Sequence, residues 1–294
     1  MFGKIQDRNT VAAVVITFNR LGFLKEIVGA LKNQTRKPDK IIIVNNSSTD
    51  GTTEWLSEQF DLYVVVQDNV GSSGGQHTGM KTAFERGFDW IWVMDDDVVP
   101  EPDCLGVLLK DLDEDTIRAP LRFTNEGKPF LNDAISYNLK NPFRSVWNNV
   151  VCEQDLNKKY IPAVGLTFEG PLINRKVIEK IGLPEFNFFI YGDDTEYFIR
   201  ASRNGFKSVV ATDARSHRKL PAVPQNKGYD WKQYYYIRNI IAIDVLHGSK
   251  PVRWIRPWGY FVTWLFRSRS FKELKITIKA FLGGYFYKSS KLLS

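Results

Sequence analysis

Four short apolar runs in the N-terminal part of the chain, Val11–Thr17, Ile41–Val44, Leu62–Val66 and Trp90–Met94, are separated by stretches where apolar residues return at helical spacing. Leu24, Ile27, Val28 and Leu31 mark the first of these helices, which ends before Pro38; others are expected over Thr52–Gln59 and Gln76–Arg86. Strand and helix alternating in this way predict a mainly parallel sheet flanked by helices, because parallel neighbours need a crossover connection. The polar turns that follow the strands, Thr17–Arg20, Asn45–Asp50, Asp68–Gly75 and Asp95–Asp97, then gather along one edge. That edge is where α/β sheets bind their ligands.

The middle of the chain is less regular. Strands are expected near Thr116–Phe123 and Val164–Phe168, a helix over Arg175–Ile181, a second over Thr195–Asn204 stopped by Gly205, and a strand over Lys207–Ala211 followed by His217. Pro221–Gly228 reads as a mobile connection to a C-terminal segment of different character. Residues 218–294 hold 15 Lys or Arg and 3 Asp or Glu, a net of +12, which leaves −5 for residues 1–217 out of the overall +7. Aromatics interleave this basic charge, including Trp231, Trp254, Trp258 and Trp264. Such a segment suits an anionic membrane surface or nucleic acid. Arg256, Arg267 and Arg269 interrupt it, so lying on a bilayer is expected and crossing one is not. The expected division is residues 1–220 as a catalytic domain, with halves of about 1–115 and 116–220, and 221–294 as the basic aromatic helical segment. No secretion signal is read at the start, and Cys104 and Cys152 are expected as buried free thiols in a reducing compartment.

Asp95, Asp96 and Asp97 stand at the end of a buried strand, where ionised carboxylates need a cation, hydrogen bonds or water. They read equally as a divalent metal site or as an acidic turn ahead of a helix, with Pro100 near its start. The run Asn69-Val70-Gly71-Ser72-Ser73-Gly74-Gly75 lets backbone N–H groups approach a phosphate or sugar, or is a flexible connection. It lacks both the dinucleotide-binding glycine pattern and the Walker lysine, which weakens hydride transfer and P-loop ATP hydrolysis as functions. Asp193 and Asp194 fit a helix cap or a general base. His217 could join Asp97 around a metal or simply be solvated; imidazole with carboxylate suits Mn²⁺, and oxygen ligands also accept Mg²⁺. His77, beside the glycine run, could touch a phosphate, though hydrogen bonding at a helix start is the plainer account; His247 has no assigned role.

Taken together, Val15-Ile16-Thr17-Phe18-Asn19-Arg20, Val44–Thr52, Asn69–Gly75 and Asp95–Asp97 resemble the inverting GT-A glycosyltransferases of family 2, over roughly residues 10–217. The resemblance implies a GT-A fold and a nucleotide-sugar donor. Thr17, Phe18, Asn19, Arg20, Asn46, Asp50, Asn69, Gly74, Gly75, Asp95 and Asp96 would line the donor, and Asp97, Asp95 and His217 would hold Mn²⁺ or Mg²⁺. Phe189–Tyr197 followed by His217 is similar to the galactofuranosyltransferase and rhamnosyltransferase branch, which implies Asp194 as the base and Asp193, Tyr191 and Glu169 on the acceptor side. Two positions depart from that pattern. Asn45 replaces an Asp, leaving uridine against thymidine open, and Gly192 replaces a Trp, so acceptor stacking is not carried over.

The expected activity is inverting, metal-dependent transfer of a sugar, with UDP-galactofuranose favoured over dTDP-rhamnose, to a hydroxyl of a glycan or lipid-linked glycan in cell-surface polysaccharide synthesis. The expected place is the cytoplasmic face of the cell membrane, bound peripherally to an anionic surface, with no nucleic acid partner and a homo-oligomer left open. A nucleic-acid-binding protein is the alternative of another class; it leaves the acidic sheet edge unexplained. A nucleotidyltransferase would need a basic glycine-rich loop after the first strand, which Ile16–Arg20 does not offer.

Overall fold

The computed structural model describes residues 9–131, 134–220 and 230–289. The strands are β1 (Val11–Thr17), β2 (Lys40–Asn45), β3 (Tyr63–Val66), β4 (Trp90–Asp95), β5 (Val98–Pro100), β6 (Thr116–Phe123), β7 (Ala134–Tyr137), β8 (Trp147–Val150), β9 (Tyr160–Pro162), β10 (Leu172–Asn174) and β11 (Lys207–Arg218). The helices are α1 (Leu21–Lys32), α2 (Thr52–Ser57), α3 (Gly71–Glu85), α4 (Cys104–Leu109), α5 (Arg175–Ile181), α6 (Asp193–Arg203), α7 (Lys232–His247), α8 (Lys250–Arg267) and α9 (Phe271–Tyr285). The main sheet runs β3-β2-β1-β4-β10-β6-β11-β5, with β9 added beside β11, while β7 and β8 form a separate hairpin. β3, β2, β1, β4, β6 and β11 point one way; β10, β5 and β9 run against them. This mainly parallel α/β sheet is the predicted fold class.

Alternation along β1 divides the core. Ala12, Val14 and Ile16 face a layer that includes Met80 and Ala83 of α3, whereas Val11, Ala13 and Val15 face Leu24, Ile27, Val28 and Leu31 of α1. Buried Leu105 and Leu108 of α4 extend the second layer.

Several local expectations are corrected. The glycine-rich run expected as a loop is largely the first turns of α3, because its small residues let the helix lie against β1. A Cβ on Gly75 would stand 2.6 Å from Ile16 Cγ2, and one on Gly79 only 2.3 Å from Val14 Cγ1. Gly79→Ala should therefore destabilise the protein by about 1–3 kcal/mol, the cost of overpacking a full core. An unstrained helix position would instead gain about 1 kcal/mol from the same change, so a raised denaturation midpoint would refute this account.

Val164–Phe168 is not a strand. Leu166 and Phe168 are buried there in an irregular crossing, so their apolar pattern reports burial and not a ladder. Pro100 ends the edge strand β5 and does not open a helix; an edge tolerates its missing N–H. α6 begins at Asp193, and β11 runs on to Arg218 past an irregularity between Ala211 and Arg215, which places His217 inside the strand. Cys104 is buried as expected, but Cys152 is exposed. The expected connection at 221–228 lies outside the described residues.

Residues of the C-terminal segment pack into the body of the protein. Ala242 and Ile243 of α7 share a core with Phe188 and Ile199, and Ile237, Ile240 and Ile241 share another with Val146 and with Ala280 and Phe281 of α9. The Arg256 guanidinium is buried against Asp244, linking α8 to α7 through charge-assisted hydrogen bonds.

Candidate active site

The turns after β1, β2 and β4 meet at one edge, held together by their own polar side chains. Thr17 Oγ1 donates to Asp96 Oδ2 at 2.7 Å, and Arg20 Nη1 donates to Asp96 Oδ1 at 2.9 Å. Asp96 is thus a buried tie between two strand ends. The same guanidinium stands 3.8 Å from Asp97 Oδ1. Asn19 Oδ1 accepts the Thr49 N–H at 2.7 Å, and Asp50 accepts the Leu21 N–H at 2.9 Å and the Thr52 hydroxyl at 2.6 Å. Asp50 therefore steadies the starts of α1 and α2.

Asn46 Nδ2 donates to the Gly71 carbonyl at 3.1 Å, while Asn69 Oδ1 accepts the Gly71 N–H at 3.0 Å. Asn45 is turned inward, with Oδ1 accepting the Ser48 N–H and Nδ2 donating to Thr53. Gly74 and Gly75 are buried in the first turns of α3, and Phe18 is exposed at the rim. The expected donor residues from the first, second and fourth strand ends are thus brought together through these contacts.

Carboxylates dominate the centre. Burial pushes the Asp95 carboxyl well above its ordinary range, and the charges of Asp97, Glu169, Asp96 and Asp193 push it further. Asp97 is raised too, by burial and Glu169 against the pull of Arg20 and Arg218. Gln76 Nε2 donates to Asp95 Oδ1 at 3.0 Å, but Gln76 Oε1 is buried without a hydrogen-bond partner. Burial works against ionisation of Glu169 as well, yet Arg122 and Arg218 outweigh it and hold this carboxyl below its usual range.

His77 lies in the second turn of α3 and not at a helix start, and its Nδ1 stands 2.8 Å from the Pro184 carbonyl, a long-range contact. His217 Nε2 lies 2.8 Å from Glu101 Oε1 and its ring stacks on Phe123 at 5.4 Å, so this nitrogen is engaged by Glu101 and not by Asp97. Among the described residues no three His, Cys, Asp or Glu side chains form a ready-made metal cage.

Asp193 and Asp194 open α6. Burial raises both carboxyls; Asp193, the more enclosed, is raised further by the negative charge of Asp194. Asp194 is half-buried, and its Oδ1 accepts the Thr195 N–H at 2.6 Å. Its raised pKa departs from the expectation of an ordinary helix-start carboxylate, because burial outweighs the helix's favourable hydrogen bonds.

The segment before this pair is unusual. Phe189 and Tyr191 have positive φ values of 64° and 68°, and Gly192 follows at 81°. Non-glycine residues avoid that region, so surrounding contacts must hold it. Asn239, buried in α7, places Nδ2 within 2.9 Å of the Phe188 and Ile190 carbonyls and 2.7 Å of the Tyr191 carbonyl. Arg238 Nη2 adds bonds to the Asn187 and Phe188 carbonyls, and the Phe189 carbonyl accepts the Ser73 N–H from α3.

Sequence reading missed Gln76, Arg122, Arg218, Arg238 and Asn239. Two of them left a trace: Arg122 is a charge inside an otherwise apolar strand end, and Asn239 interrupts the run Ile237–Ile243.

A mainly parallel α/β sheet with an acidic strand-end edge narrows the class, and comparison fixes it: the family described as "Glycosyl transferase family 2" matches residues 12–182, and the chain belongs to that family. It is a glycosyltransferase with a GT-A fold. Among characterised relatives, the chain is 29% identical over 282 residues to galactofuranosyltransferase GlfT1 of Mycolicibacterium smegmatis, covering 86% of this chain and 89% of that one. It is 26% identical to GlfT1 of Mycobacterium tuberculosis, covering 86% and 90%. A crystal structure of GalNAc-T7 with UDP, GalNAc and Mn²⁺ superposes with a TM-score of 0.68 at 12% identity, over 94% of this chain and 55% of that one. That likeness concerns the fold.

Proposed function

We propose that this glycosyltransferase moves galactofuranose from UDP-galactofuranose to a hydroxyl of a glycan or lipid-linked glycan, with inversion at the anomeric carbon. Similarity to galactofuranosyltransferases along 86% of the chain supports the sugar. The observation that carries the chemistry is the pairing of Asp194 with the acidic edge. Asp194, half-buried at the start of α6, shares an electrostatic neighbourhood with Glu169 and Arg122, while Glu169 also acts on Asp95 and Asp97.

The residues fit a divalent cation. Burial and the charge of Asp97 raise the Asp95 carboxyl, Asp97 is raised although Arg20 and Arg218 act on it, and Gln76 Oε1 beside Asp95 is an unsatisfied acceptor. Asp95 and Asp97 would hold Mn²⁺ or Mg²⁺, which when bound supplies positive charge to the departing diphosphate. His217 is given no part, since Glu101 engages its Nε2.

Thr17, Arg20 and Asn46 stand on the donor side. Asp193 and Tyr191 flank the base on the acceptor side. The acceptor oxygen forms its bond to the anomeric carbon as the bond to the diphosphate breaks, and the electron pair of that bond leaves with the diphosphate. The hydroxyl proton passes to Asp194.

A second part of the proposal concerns location. Trp254, Trp258, Val262 and Phe266 are exposed at four-residue spacing along α8, and Ile278, Leu282 and Phe286 are exposed on or just beyond α9. Lys and Arg flank them, with Glu273 the one acidic residue from 250 to 289. Such a face suits peripheral binding to an anionic bilayer at its cytoplasmic surface. Among the described residues no helix is long and apolar enough to cross a membrane.

With UDP-galactofuranose and Mn²⁺, the wild-type melting temperature should rise by several degrees through ligand linkage. Asp97→Ala should lose most of that rise. A rise with dTDP-rhamnose and none with UDP-galactofuranose would refute the donor assignment; an undiminished rise in the variant would refute the metal role.

A further inference from the structure

A cavity of about 720 Å³ lies between the β7–β8 loop, the end of α6 and the start of α8. Its cationic lining consists of Lys140, Arg144, Arg203 and Arg253, with the His247 ring beside them and no Asp or Glu on the wall. Of the acids on the adjoining helices, Glu196 is engaged by Arg200 and His247 and Asp244 by Arg256, while Asp193 and Asp194 lie at the opposite end of α6 from Arg203. Arg203 donates to the His247 carbonyl, which fixes its guanidinium at the wall. Lys140, Arg144 and Arg253 are exposed and make no side-chain ion pair among the described residues. The cavity is therefore a concave site whose charged wall residues are all cationic.

Its surroundings are apolar as well as basic. Phe143, between the wall residues Asn141 and Arg144, is 84% exposed; Trp254, which follows Arg253 in α8, is 64% exposed and sets its ring against Tyr285 of α9 rather than on the wall. Trp254 also begins the exposed row on α8. A soluble anion would have no use for these rings, whereas an anionic group on an apolar chain would use both.

We propose that this cavity binds the phosphate of a lipid headgroup. Arg144, Arg203 and Arg253 would supply charge-assisted, directional hydrogen bonds to its oxygens, and Phe143 and Trp254 would lie at the level of the acyl chains. Only the lipid source rests on the membrane-facing reading of α8 and α9; the phosphate chemistry rests on the cavity.

The protein can be tested in EDTA, which silences metal-dependent pyrophosphate binding elsewhere. Inorganic pyrophosphate is titrated by calorimetry, and partitioning onto phosphatidylcholine vesicles is measured with and without phosphatidic acid. Arg144→Gln with Arg253→Gln, both exposed positions, should weaken pyrophosphate and phosphatidate-vesicle binding at least about tenfold. Lys272→Gln with Lys275→Gln removes equal charge outside the cavity and should leave pyrophosphate binding unchanged and vesicle binding less affected. Unchanged pyrophosphate affinity in the arginine variant overturns the site. Weakened pyrophosphate binding with vesicle binding no worse than in the lysine variant overturns the lipid source. Trp254→Ser with Trp258→Ser separates the two readings: if vesicle binding is unchanged while pyrophosphate binding remains arginine-dependent, the membrane-facing reading fails and the lipid source fails with it.

Discussion

Asp194→Asn is expected to lower sugar transfer by about 10²–10⁴-fold, the range a positioned general base supplies, while the protein stays folded and binds donor. The amide keeps the shape and can still accept the Thr195 N–H but cannot take the hydroxyl proton. Wild-type activity should fall with decreasing pH earlier than an ordinary aspartate would dictate, because burial raises the Asp194 carboxyl and protonation removes the base. Stability should move the other way. With its folded pKa above its unfolded one, the carboxyl binds its proton more tightly in the folded state; its contribution is fully present below the unfolded pKa and is lost as pH rises through the folded pKa. The variant should therefore melt no lower than wild type at neutral pH. A pH–rate profile and a melting curve on the two proteins check both halves; wild-type turnover in the variant would remove Asp194 from the mechanism.

Asn239→Leu should be damaging at a distance. It leaves three carbonyls of the segment before the Asp pair without their shared donor, at a cost of about 2–4 kcal/mol for buried groups. Phe189 and Tyr191 would then leave their positive-φ conformations, and the carboxylates that follow would shift. A displacement of about 1 Å is enough to cost on the order of 10²-fold in rate. Asn239→Asp preserves the shape but lacks the donors, so it should fail as well. Turnover number and acceptor KM, measured beside the melting temperature, separate positioning from bulk stability: a lower melting point with unchanged turnover would show that the contact serves only folding.

Much of the fold was legible because its signals are local. Val11–Thr17, Thr116–Phe123 and Arg175–Ile181 form the elements their patterns announce, since periodic burial within a few residues decides them. The glycine run was not, because small residues serve a tight helix–sheet contact as well as a loop, and only the neighbouring Ile16 and Val14 tell which. The acidic residues could be named from their strand-end positions. Their partners could not: Gln76, Arg122 and Arg218 reach the site from separate elements, and their charges become meaningful only once the sheet is assembled. Burial of Asp194 is likewise a property of the packed molecule.

The grip of α7 on the segment before Asp193 also sets a timetable. The Asn239 contacts span about fifty positions of the chain, and the Tyr287 hydroxyl closes on Glu185 across a separation of 102. During synthesis the sheet of β1 to β4 can form while α7 is still inside the ribosome, since all four strands lie before residue 96 and α7 begins only at Lys232. The nascent polypeptide should therefore acquire its donor edge well before its base is set in place, and become competent for transfer only after α7 has emerged.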